Sequence, residues 1–184
     1  MADNKRERLL SAAKEVFLRY GYKRVSMNDI AEAAGISRPG LYLVFKSKEE
    51  IFRGVYRQWT EGTVAEVSRG VWAFKSLDEK LRFAFDLWAV RAFEAARQSA
   101  EAEELIGCTL EFAASEVKAA DEAFGRCLAS IIASSPKGRR TKGGLQPERT
   151  ARVLVGAVRG FKQTATGAAD LRQMIDDLLT LYLA

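Results

Sequence analysis

"GISRPGLYLVFKSKEE", residues 35–50, is the stretch that decides how this chain folds. A glycine, a serine and a Pro-Gly pair precede Tyr42 and Phe45, and lysines follow at 46 and 48. A core helix does not carry those lysines, and a plain surface helix does not carry those aromatics. The flanking pattern resolves the conflict. Upstream, "SMNDIAEAA" (26–34) reads as a short helix capped by Ser26, with Asp29 at N3 and Ile30, Ala31 and Ala34 on its inner face. Gly35 stops that helix and can take the left-handed conformation. Ile36 plugs the turn. Ser37 caps a third helix, "RPGLYLVF" (38–45), with Pro39 in its first turn, where a missing N–H costs nothing. Ser47 to Glu50 is a capping-box pattern that opens a fourth helix.

Two short helices joined by a glycine-containing turn form a helix-turn-helix. In that arrangement Leu41 and Phe45, four residues apart, face the core. Arg38, Tyr42 and Leu43 face outward, toward a major groove. Gly40 removes a side chain where helix and DNA approach closely, and Lys46 and Lys48 flank the groove at phosphate height.

Further out, "KRERLLSAAKEVFLRYGY" (5–22) places Leu9, Ala13, Val16, Phe17 and Tyr20 on one face, and Gly21 ends it. Ser76 caps an expected helix over 77–97. Gly107 precedes an expected long helix over 108–134, with room for a break. "SPKGRRTKGGLQP" (135–147) reads as a polar connector rather than a second DNA arm. Two amphipathic helices follow, over 147–167 and 168–184. The pattern is all-α.

Charge separates the chain into two parts. Residues 1–58 hold 12 Lys/Arg against 7 Asp/Glu, and the remainder holds 17 of each, so the whole net charge of +5 sits in the first third. A basic module joined to a neutral one suits a polyanionic partner. The 48% hydrophobic content is enough for a core, and no apolar run approaches the ~20 residues of a membrane span. The first residues lack a secretory h-region, so a cytoplasmic protein is expected. With no histidine and two cysteines, histidine-based catalysis, a disulfide framework and a structural zinc site are excluded. No phosphate-binding glycine motif is present either, so an enzyme is not expected, nor is a cofactor.

"SMNDIAEAAGISRPGLYLVFKSKEEIF" (26–52) resembles the DNA-binding signature of the TetR family of bacterial regulators. The resemblance covers about residues 6–55. It implies a helix-turn-helix domain over 1–47 and a helical regulatory and dimerisation domain over 48–184. It implies a homodimer on a palindromic operator, with repression relieved by a small-molecule inducer whose identity is unknown. Two alternatives stay open: constitutive DNA binding without a ligand, and a regulator that senses electrophiles or oxidants through cysteine.

The expected DNA-binding residues are Ser26, Asn28, Ser37, Arg38, Pro39, Gly40, Tyr42, Leu43, Lys46 and Lys48. Arg38 either reads a guanine through O6 and N7 or bonds a phosphate. Ser26 and Ser37 cap helices whose first N–H groups can meet phosphates. By resemblance, the Tyr42 hydroxyl meets a phosphate and Asn28 reaches a base. A half-buried core role for Tyr42 is the alternative.

In the second domain Phe85, Trp88, Arg91, Cys108, Glu111 and Phe112 are expected to line a ligand cavity, with Trp72, Phe93 and Phe124 as further candidates; ordinary core packing is the alternative. Leu154, Val158, Phe161, Leu171, Met174, Ile175, Leu178 and Tyr182 form apolar stripes. By resemblance they build a dimer interface, with Gly156 and Gly160 allowing close approach; ordinary core packing within the chain is the alternative. Cys108 is placed at a helix N-terminus, where a thiolate is stabilised. The plainer reading is a small space-filling residue.

Overall fold

The computed structural model describes residues 2–97, 100–135 and 144–184. Among the described residues it contains helices and no strand. They are α1 (Ala2–Tyr20), α2 (Met27–Ala33), α3 (Arg38–Tyr42), α4 (Lys48–Gly70), α5 (Leu77–Phe85), α6 (Arg91–Ala96), α7 (Ala100–Phe112), α8 (Ala114–Ser134), α9 (Pro147–Thr164) and α10 (Ala168–Leu183). The chain packs as two compact units. One joins Met1–Glu61 to Ala96–Lys118, and the other joins Gly62–Ala95 to Ala119–Ala184.

The first unit is built on a core containing Phe17, Ile30, Leu41, Phe45 and Ile51, each almost fully buried. Gly21 takes φ +77, the left-handed value that a glycine ends a helix with. That turn reverses which tyrosine is inside. Tyr20, expected on the inner face, is 48% exposed, while Tyr22 returns to the core at 5%. Its ring packs against Phe17, Phe52 and Phe112 at 5.1–5.5 Å between centroids. Gly35 also takes a positive φ, +66, between α2 and α3. The third helix is shorter than the expected 38–45. After Tyr42 the N–H groups of Val44 and Phe45 both bond the carbonyl of Leu41, which closes the helix. Phe45 still reaches the core at 0% exposure.

In the second unit the helix expected over 77–97 divides. Ser76 and Glu79 cap the start of α5 reciprocally. Residues Asp86–Val90 then form a π-helical turn before α6. The wider turn buries Leu87, Trp88, Ala89 and Val90 in succession, which one face of a regular α-helix cannot do. Trp88 stacks on Phe124 at 4.4 Å, and Phe85 meets the same ring edge-on at 5.6 Å. Arg82 joins Asp78 and Asp176, and Asp86 receives Arg172 at 3.0 Å, so charges as well as apolar contacts hold α5 to α10.

The long helix expected over 108–134 is two helices, broken at the fully buried Ala113. Cys108 therefore does not begin a helix. It lies in the third turn of α7, and the thiolate argument from a helix N-terminus falls away. Its side chain lies outside the described residues, as does most of the 135–147 connector. Cys127 is half-buried on α8, with Sγ 3.3 Å from Ser68 Oγ.

The stripes on α9 and α10 also need correction. Leu154, Val158, Leu171 and Ile175 are 0–3% exposed within this one chain, so they build its own core and cannot form an exposed interface. Phe161, Met174, Leu178 and Tyr182 are half-buried. The outer apolar positions are Val153 at 55% and Leu181 at 79%, and a Cβ at Gly156 or Gly160 would meet nothing within 4 Å.

Lys162, near the end of α9, is desolvated and faces the like charge of Arg159, which together depress its pKa to about 8. Folding thus releases a proton from this lysine between pH 8 and its ordinary value of 10.5. Stability should rise with pH across that window, because the unfolded chain binds the extra proton. Lys162→Met is expected to raise stability at pH 7 by about 1–2 kcal/mol and to abolish the alkaline gain. Urea unfolding at pH 7 and pH 9.5 checks both.

Candidate nucleic-acid interface

Three helices and two caps position the outward face of α3. Ser26 Oγ accepts the N–H of Asp29 at 3.3 Å, and the Asp29 carboxylate accepts the Ser26 N–H at 2.8 Å. That backbone bond, followed by the Ser26 hydroxyl, holds the Asp29 carboxyl below its ordinary range. Ser37 Oγ accepts the Gly40 N–H at 3.2 Å. Pro39 occupies the first turn of α3. A Cβ on Gly40 would lie 3.1 Å from Ser37 Oγ, so the glycine makes room for the cap as well as leaving the outer surface low.

With Leu41 anchored at 0% exposure, Arg38, Tyr42 and Leu43 point to solvent. Leu43 is 88% exposed and Tyr42 44%. The Arg38 guanidinium lies over the Tyr42 ring at 5.7 Å, so these two side chains share one patch. Asn28 is exposed on α2, and Ser26, Ser37, Pro39 and Lys46 are exposed beside it in sequence.

Lys48 departs from the expected phosphate role. Its Nζ donates to the carbonyls of Tyr22 and Val25, at 2.8 Å each, and lies 4.2 Å from the centre of the Tyr22 ring. The ammonium is turned inward, because two carbonyls and an aromatic face offer it better partners than water at that position. Glu50 departs too. Its N–H bonds Ser47 Oγ, but its carboxylate passes the cap and accepts the Lys46 N–H at 2.8 Å.

Arg6 was not legible as part of this site. Its guanidinium covers the buried Phe45 ring at 4.3 Å, approaches Glu50 at 3.6 Å and donates to Val44 O at 3.4 Å. It braces the chain leaving α3. The only sequence signal was the local cluster of Lys5, Arg6 and Arg8, which points to no particular partner.

Comparison with known proteins then decides the family. Residues 9–55 match the model for bacterial regulatory proteins of the tetR family. The HTH-type transcriptional activator FasR of Mycolicibacterium smegmatis is 29% identical over 160 residues, spanning 85% of this chain and 68% of its own. Residues 9–55 belong to the TetR family.

A second relative, the HTH-type transcriptional regulator YfiR of Bacillus subtilis, is 35% identical over 102 residues, half the length of each chain. Among solved structures, FadR of Thermus thermophilus, a TetR-family repressor in complex with lauroyl-CoA, aligns over 97% of this chain and 93% of its own. The TM-score is 0.64 at 26% identity. A TetR-family regulator from Mesorhizobium loti covers the whole chain with a TM-score of 0.68 at 21% identity, a likeness of fold. With this N-terminal module the chain is a helix-turn-helix transcriptional regulator and not an enzyme. The family binds DNA, and a dimer is typical of it. No described helix is long and apolar enough to cross a membrane.

The residues expected to line a ligand cavity are divided between the two units. Phe85 and Trp88 pack on Phe124 in the second unit. Phe112 belongs to the first unit, against Tyr22. Arg91 is exposed and pairs with Asp86 at 3.3 Å and Glu66 at 3.8 Å, and Glu111 is exposed. Helical spacing cannot tell which aromatics serve one unit's core and which the other's.

Proposed function

We propose that this protein is a homodimeric repressor that reads a palindromic operator through α3 and leaves it when a small ligand binds. The observation that carries the DNA reading is the outward face of α3. A leucine at 88% exposure, next to an arginine over a half-exposed tyrosine, has no packing role in the chain. It has the composition of a groove-reading surface. Residues 1–47 carry DNA contact and 48–184 carry regulation and pairing. A two-fold operator follows from a dimer with one recognition helix per subunit.

The DNA reading is tested by selecting bound duplexes from random sequence. Enrichment of an inverted repeat is expected; no enrichment overturns it. On the selected site, Arg38→Ala should lose about 1–3 kcal/mol and relax preference at one base pair of each half-site. Tyr42→Phe, which keeps the ring but loses the hydroxyl, should weaken all sequences alike. Repeating the selection with each variant separates base reading from phosphate contact.

The ligand reading draws on the Thermus relative, whose complex is with lauroyl-CoA. A fatty acyl thioester is the ligand class to test. Adding lauroyl-CoA to a preformed complex should release the DNA, whereas coenzyme A alone should not. The ligand acts only if it binds the DNA-free conformation more tightly. Retention of DNA at saturating lauroyl-CoA overturns the acyl-thioester reading and leaves DNA recognition standing.

A further inference from the structure

The turn between α1 and α2, residues 21–25, is held from two sides by opposite charges. From α4, Lys48 Nζ donates to the carbonyls of Tyr22 and Val25 at 2.8 Å each. From α7, Glu104 Oε1 accepts the backbone N–H of Lys23 at 2.7 Å. Gly21 is the third part. Its φ of +77 favours glycine, and a Cβ there would lie 3.2 Å from Glu104 Oε2, so the bare residue also makes room for the carboxylate. Beside this contact Arg24 and Glu101 pair at 3.8 Å, a weaker and more exposed tie. The Tyr22 ring fills the space beneath, between Phe52 and Phe112. The turn leads directly into Ser26, the cap of α2.

We propose that Glu104 is a positioning residue for DNA recognition: with Lys48 it clamps the 21–25 turn and thereby sets the seating of α2 and α3. The inference rests on the DNA-binding reading. A short bond from a backbone N–H to a carboxylate is charge-assisted and stronger than its neutral counterpart. Without it the Lys23 N–H turns to water, and Lys48 holds the turn from one side only. The helix-turn-helix then keeps its fold but loses its single orientation.

This role makes a prediction opposite in sign to simple electrostatics. Deleting a carboxylate makes the protein more positive, which by itself strengthens DNA binding. Positioning instead requires weaker binding to the selected site. With full-length protein and the duplex that the wild type selects from random DNA, Glu104→Ala should lose about tenfold in specific affinity. Its affinity for unrelated duplex, and the slope of log affinity against log salt, should not fall. Glu104→Gln keeps an acceptor for the Lys23 N–H and should recover most of the loss. Lys48→Met should likewise leave the salt slope unchanged, whereas loss of a phosphate contact lowers it by about one. On the DNA-free protein, exchange of the Lys23 amide should be at least about tenfold faster in Glu104→Ala.

Wild-type or tighter affinity of a folded Glu104→Ala variant overturns the proposal, and so does unchanged exchange of the Lys23 amide. A Glu104→Gln variant as weak as alanine while melting like the wild type also overturns it. A wild type that enriches no sequence overturns the DNA reading instead, and the exchange measurement then still decides whether the clamp exists.

Discussion

Phe45→Ala is expected to lower the stability of the first unit by about 3–5 kcal/mol. The ring is fully buried among the residues that carry α3, and Arg6 closes it from outside at 4.3 Å. Truncation leaves a cavity, removes the seat of the guanidinium and frees the segment that leaves the recognition helix. Denaturant unfolding measures the loss, and DNA affinity should fall with it even where the protein remains folded. Phe45→Leu keeps most of the volume and should lose much less. A loss below about 1.5 kcal/mol for alanine would show that the ring does not anchor the recognition helix.

Leu181→Glu is expected to give a folded monomer that binds the selected operator about 100-fold more weakly, since a dimer engages two half-sites and a monomer one. Leu181 is 79% exposed at the end of α10, and Val153 on α9 is 55% exposed. An apolar side chain that finds no cover within its own chain suits a partner's surface. The contrast is Leu171→Glu. That residue is fully buried in the same helix, so the substitution should unfold the second unit rather than separate subunits. Sedimentation and thermal melting distinguish the two. A dimer that persists in Leu181→Glu would place the interface elsewhere.

The helix-turn-helix was legible because its signals are local. Ser26 with Asp29, Gly35, Ser37 and Pro39 each act on backbone within four residues, and each appears in the fold at its expected place. The alternation of Leu41 and Phe45 against Arg38, Tyr42 and Leu43 is equally local, because helical spacing assigns faces once a helix is given. The family signature lies in the same short span.

What the tertiary structure alone decided is which long-range partner each ambiguous residue meets. Lys48 reads as a surface cation, yet the turn 26 residues earlier brings two carbonyls to it. Glu104 is 81 residues from the N–H that it accepts. Apolar stripes on α9 and α10 read alike whether they face a partner or the chain itself, and only packing assigned Leu171 inward and Leu181 outward. The π-helical turn at Asp86–Val90 and the break at Ala113 have no local stop signal in the sequence; the burial of their residues accompanies them. Sequence periodicity specifies a face relative to its own helix axis, and the object opposite that face is set by how the helices assemble.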